Sequence, residues 1–126
     1  LRTNQADAAA QLVTEVRTRS FDNPADAVVT GAELQQNSVF KYGTLAENGT
    51  IDQPGDQTAV LYGRFLDELG WEIAAEARRR TDMIRFGVYQ KKNWYNHVPK
   101  GAYTTLFPIG LEELNTNKNL KQNPGY

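Results

Sequence analysis

The sequence predicts a mainly α-helical chain with long irregular loops, and three observations support this. Apolar residues recur every four positions at Leu61, Phe65, Leu69, Ile73 and Ala77, the signature of one helix face. A second apolar stripe runs through residues 4–19 and ends in basic residues. Turn formers crowd residues 41–57, and the chain after Gly87 loses helical periodicity.

Residues 4–19 form the first expected helix. Ala8, Leu12 and Val16 lie four apart, with Ala9 and Val13 beside them. Asn4 is the expected N-cap, and Asp7 suits the positive end of the helix dipole as Arg17 and Arg19 suit the negative end. Asp22-Asn23-Pro24 stops it, because the residue before a proline avoids helical geometry. A short helix is expected over Gly31–Gln36. The connection 41–57 reads as surface loop with a strand or hairpin around Asn48-Gly49. Asn48-Gly49-Thr50 also fits the N-glycosylation pattern, but a turn explains it more simply. Residues 57–79 then predict an amphipathic helix of about six turns. Gly63 and Gly70 interrupt its side-chain row, each costing about 1 kcal/mol against Ala, which close packing of another helix would justify. Thr81-Asp82 restarts a helix through Phe86, with Gly87 to end it. A last helical turn covers Leu111–Asn115, its Glu112-Glu113 pair near the positive end.

Composition excludes several classes. The 126 residues carry 14 Lys+Arg and 15 Asp+Glu, for a net charge of −1. Leu, Ile, Val and Phe number 28, against 10 Asn and 8 Gln. That lies only just above the apolar content, roughly one fifth, below which chains stay disordered. The core is therefore expected to be thin, and length allows one domain at most. Cysteine is absent, which removes disulfides, thiolate catalysis and Cys-ligated metals. No run of about 20 apolar residues is present to span a bilayer.

Seven basic residues fall in 78–100, interleaved with aromatic rings. Such interleaving suits single-stranded nucleic acid, but a pI near 5.8 lacks the basic character of those binders. Nucleic acid is not expected as a partner. Glu72 and Glu76 stand four apart on one helix face, so they cannot flank a scissile bond as paired catalytic carboxylates must. Together with Arg79, Arg80, Asp82 and Arg85 they read instead as structural ion pairs at helical neighbour spacing. His97 is the single histidine and cannot build a multi-His metal site. No nucleophile elbow or phosphate-binding glycine loop is present, so neither enzyme chemistry, a metal nor a cofactor is expected.

The aromatic segment from Tyr89 to Phe107 leaves two readings open. Flat rings stack on the apolar faces of sugars while amides bond hydroxyls, which makes Trp94, Tyr95, His97, Tyr103, Asn93 and Asn96 candidate ligand-binding residues. The simpler alternative is that these rings close over a small core. Trp94 and Tyr95 are the first candidates.

Two stretches carry a family resemblance. Residues 71–87, WEIAAEARRRTDMIRFG, resemble a motif of the SusD/RagB family of outer-membrane nutrient-binding lipoproteins, in which Glu-Leu/Ile-Ala-x-Glu-Gly-His-Arg runs into Asp-Leu-Ile-Arg-Phe/Trp-Gly. Residues 106–126 resemble that family's terminus, where Leu-Phe-Pro-Ile leads to Asn-Leu-x-Gln-Asn-Pro-Gly-Tyr. The first helix, ADAAAQLVTEVRTR, is similar to an Ala-rich helix of the family's scaffold. Two departures stand out. Ala77-Arg78 occupies the place of Gly-His, and Gly110 that of a second proline.

The resemblance implies a single C-terminal segment, 1–126, of a longer protein, with a tetratricopeptide-like helical scaffold. It implies non-catalytic binding of an oligosaccharide or other nutrient at the cell surface, beside a SusC-like TonB-dependent transporter in the outer membrane. Membrane attachment is expected only through a lipid anchor on a preceding N-terminal part. Two alternatives stay open: a docking domain for the transporter with no ligand site of its own, and a glycoside hydrolase accessory.

Overall fold

The computed structural model describes residues 5–126, so the expected Asn4 cap lies outside the described residues. Its α-helices are α1 (Ala6–Thr18), α2 (Gly31–Leu34), α3 (Gly63–Glu72), α4 (Arg79–Arg85) and α5 (Leu111–Thr116). The two strands, β1 (Gly43–Thr44) and β2 (Trp94–Tyr95), are short, and the mainly helical character expected from the sequence is observed. The chain divides into two compact units, Leu1–Lys41 with Gln57–Val88, and Tyr42–Asp56 with Tyr89–Tyr126.

In the first unit, α1 packs through Ala10 and Val13 onto Val29, Leu34 and Phe65. This is not the whole face that periodicity predicts. Leu12 is 64% exposed and Val16 is also exposed, because α1 is rotated so that Arg17 points inward. The Arg17 Nε donates to the Ala27 carbonyl at 2.8 Å and its Nη1 to Glu68 at 2.7 Å. Thr14 Oγ1 accepts from the Val29 amide at 3.1 Å, docking the segment that follows the proline turn. Asn23 caps that turn through the Ala25 amide. A capping box opens α2: Thr30 accepts from the Glu33 amide, and Glu33 accepts from the Thr30 N–H at 2.7 Å. Two orphan donors are satisfied reciprocally.

The six-turn helix expected over 57–79 is not formed. Tyr62, at φ +58°, starts α3 only at Gly63, and the helix stops at Glu72. The start is set by the loop 36–39. Gln36 accepts from the Arg64 amide, and Asp67, only 4% exposed, accepts from Ser38 Oγ at 2.6 Å and the Val39 amide at 2.9 Å. A side chain at Gly63 would run into the Ser38 backbone, so the close neighbour is a loop and not a helix. Beyond Glu72 the chain reverses, with Ala75 at φ +65° and Ala77 at φ +58°. The reversal brings Arg79 Nη1 to 2.8 Å from the Leu66 carbonyl. In an unbroken helix those two residues would lie about 20 Å apart at 1.5 Å per residue. Helix α4 starts at Arg79 and not at a Thr81-Asp82 cap. It buries Met83, whose carbonyl accepts from the Val88 amide at 2.8 Å, and Phe86 meets Phe65 with ring centroids 6.3 Å apart. Gly87, at φ +71°, ends it as expected.

In the second unit, the expected hairpin forms around Asn48-Gly49, with Leu45 bridging Ile51 and Asn48 Oδ1 accepting from the Thr50 amide at 3.0 Å. β1 pairs in parallel with β2, Gly43 opposite Trp94 and Thr44 opposite Tyr95. Lys92 is buried in the same unit. Its Nζ donates to the Asp56 carbonyl at 3.1 Å and lies 5.3 Å from the Tyr42 ring centre. The C-terminal residues form a clasp of side chains on backbone. Gln122 bonds both the amide (2.8 Å) and carbonyl (2.9 Å) of Ile109. The Asn123 amide group donates to Phe107 O, and the Tyr126 hydroxyl donates to Leu106 O at 2.9 Å. The two halves of the terminal motif thus hold each other.

Candidate ligand-binding site

The candidate residues lie on the segment that enters and leaves β2. Trp94 and His97 exchange backbone hydrogen bonds, His97 N–H to Trp94 O at 2.8 Å and Trp94 N–H to His97 O at 3.1 Å. Tyr95 and Asn96 are thereby left at the tip of a tight turn. The Tyr95 carbonyl accepts from the Leu45 amide at 2.7 Å, which fixes the tip to the strand-hairpin connection. Tyr95 stands at φ +53° with 65% of its surface exposed, and Asn96 is exposed beside it.

Behind the tip, three rings cluster, Trp94 stacked on His97 and Tyr89 tilted against both. The Trp94 and His97 rings are 4.6 Å apart at 22°, and Tyr89 lies 5.0 Å from His97 and 6.3 Å from Trp94. His97 Nε2 is 3.1 Å from the Tyr89 carbonyl. A carbonyl only accepts, so Nε2 carries the proton. The hydrogen bond and the stack together set the ring's orientation. The Trp94 indole N–H is buried without a hydrogen-bond partner, so that edge is closed to solvent.

The remaining candidates are engaged elsewhere. Asn93 is 8% exposed, its amide donates to the Gln53 carbonyl at 3.1 Å, and it packs on Gly55. Tyr103 meets Tyr126 edge-on at 5.2 Å and lies against Gly125, where it supports the C-terminal clasp. Of the six candidates, the structure brings Trp94, Tyr95, Asn96 and His97 together and gives Asn93 and Tyr103 packing roles. Tyr89 belongs to the same cluster, and its place was signalled only by its membership of the aromatic segment.

The expected ion-pair array does not form as one network. Glu72 pairs with Arg19 from α1. Asp82 is buried, 3.8 Å from Arg85. Arg79 bonds a backbone carbonyl, and Glu76 is exposed with no ion pair among the described residues. The reason is the broken helix: with Ala75 and Ala77 out of helical geometry, spacing of three or four no longer makes neighbours of Glu76, Arg79 and Arg80.

A deeper concavity, of about 680 Å³, lies within the first unit between α1 and α3. The exposed Leu12, Val16, Phe21 and Trp71 line it. Its charges are matched internally: Arg17 bonds Glu68 and lies over Phe21, and Arg64 lies over Trp71. Periodicity assigned Leu12 and Val16 to a core, so this groove had no sequence signal. Among the described residues, no group of three or more His, Asp or Glu is placed to hold a metal ion, and no helix is long and apolar enough to cross a membrane.

The chain matches the SusD family over residues 1–126. It is similar to the starch-binding protein SusD of Bacteroides thetaiotaomicron, 32% identical over 117 residues, covering 81% of this chain and 20% of that protein. It is also similar to the SusD-like protein P25 of Formosa agariphila, 29% identical over 117 residues, covering 84% of this chain and 21% of that protein. The chain therefore spans about a fifth of the length of these curated relatives. No solved structure matches it. A family match that extends over residues 1–126 places the chain in the SusD family.

Proposed function

We propose that this chain is the C-terminal part of a cell-surface protein that binds oligosaccharides without chemistry and works with a TonB-dependent outer-membrane transporter. The family match carries the reading, since a relative bears the name starch-binding protein. In the second unit, the Tyr95–Asn96 tip supports it: a ring offers an apolar face and the neighbouring amide bonds hydroxyls. Lipid anchorage at the outer membrane is part of the same proposal.

A second reading, a docking scaffold without its own ligand site, is favoured by one observation, the exposed apolar lining of the groove between α1 and α3. Calorimetry of the intact protein against maltoheptaose and soluble xylo-, manno- and galacto-oligosaccharides separates the two. Saturable heat with no released product is expected. Silence across the panel, together with co-purification of a transporter, would leave only the docking reading.

A further inference from the structure

The Tyr95 turn is built against conformational preference. An aromatic side chain at φ +53° occupies a region that glycine, or asparagine, enters at far lower cost. Packing does not offset that cost, because 65% of the residue is exposed. Nor does the hydrogen bonding of the turn require a ring. The Trp94–His97 pair and the Leu45-to-Tyr95 bond are all backbone, and any residue at 95 would make them. The fold therefore has no use for this ring that offsets the strain it imposes. Residues kept in sparsely populated backbone regions concentrate at ligand contacts, where the strain is part of how a group is presented.

The neighbours are arranged differently. Trp94 is half-buried, its N–H faces inward, and its ring is covered by His97. His97 spends its Nε2 proton on the Tyr89 carbonyl. Both brace the tip from behind.

We infer that Tyr95 is the ligand-contacting ring of this segment, presented with the Asn96 amide for the apolar face and adjacent hydroxyls of a pyranose ring. Trp94, His97 and Tyr89 are positioning residues that do not touch the ligand. This assignment rests on the glycan-binding reading above.

The test uses the intact protein with maltoheptaose and the same oligosaccharide panel, read by calorimetry and thermal melting. Tyr95→Leu keeps the strain and removes the ring; affinity falls at least tenfold with the melting temperature unchanged. Tyr95→Gly removes both; affinity falls equally while the melting temperature rises by about 1 °C, the shift that relief of under ~1 kcal/mol gives a protein several times the length of this chain. Wild-type affinity in Tyr95→Leu, or no rise in melting temperature for Tyr95→Gly, overturns the assignment while glycan binding stands. A wild-type protein that binds none of the panel overturns the glycan-binding reading itself, and the role of Tyr95 with it.

Discussion

Replacing Ala77 with glycine distinguishes the observed chain reversal from the helix that periodicity predicts. Ala77 is exposed and has φ +58°, so a methyl group is removed from a left-handed residue without leaving a cavity. A non-glycine residue there costs about 1–2 kcal/mol. Glycine adds unfolded-state entropy worth about 0.4–1 kcal/mol, which leaves a net gain of about 0–1.6 kcal/mol, centred near 0.8. In a continuous helix the same substitution would lose about 1 kcal/mol, so the two geometries differ in sign. Urea unfolding of the wild type and Ala77→Gly, with equal slopes, measures the difference. A midpoint shifted to lower urea would show that residues 73–78 are helical and that the reversal argued here is wrong.

Gly63→Ala should destabilise by about 1–3 kcal/mol through overpacking, since its Cβ would meet the Ser38 backbone; a neutral melting curve would mean the 37–38 loop yields freely. Gln122→Ala should cost about 1–3 kcal/mol by unpairing the Ile109 backbone, and amide exchange at Ile109 should quicken more than exchange in α1. The Glu33 carboxyl is held below its ordinary value by the Thr30 N–H first and the Thr30 hydroxyl second. Its contribution is therefore present above the ordinary value near 4.5 and is lost as pH falls through the lower folded value. Thermal melts across that acid range should show a decline in the wild type that Glu33→Gln lacks, and parallel curves would refute it.

What the sequence determined by itself was what neighbouring residues decide. Helix α1, the hairpin at Asn48-Gly49, the Gly87 end of α4 and the short α5 each depend on caps, turn residues or periodicity within a few positions, and each is present, although α1 ends at Thr18, ahead of the expected stop at Pro24. The Thr30-x-x-Glu33 capping box is equally local, but it is the structure that brings it out, since the periodicity of this stretch is poor. The terminal motifs identified the family because they are long and ordered, although their spelling does not reveal that Gln122, Asn123 and Tyr126 grip residues 106–109. Only tertiary structure decided where the strongest helical pattern would break. Contacts from distant residues, Arg79 on Leu66 and the 36–39 loop on the start of α3, outweigh a propensity worth only tenths of a kcal/mol per residue. The same holds at the candidate site. The sequence names six aromatic and amide candidates, and the backbone pairing of Trp94 with His97 separates the exposed Tyr95 and Asn96 from Trp94, His97, Asn93 and Tyr103, which pack or bond within the unit.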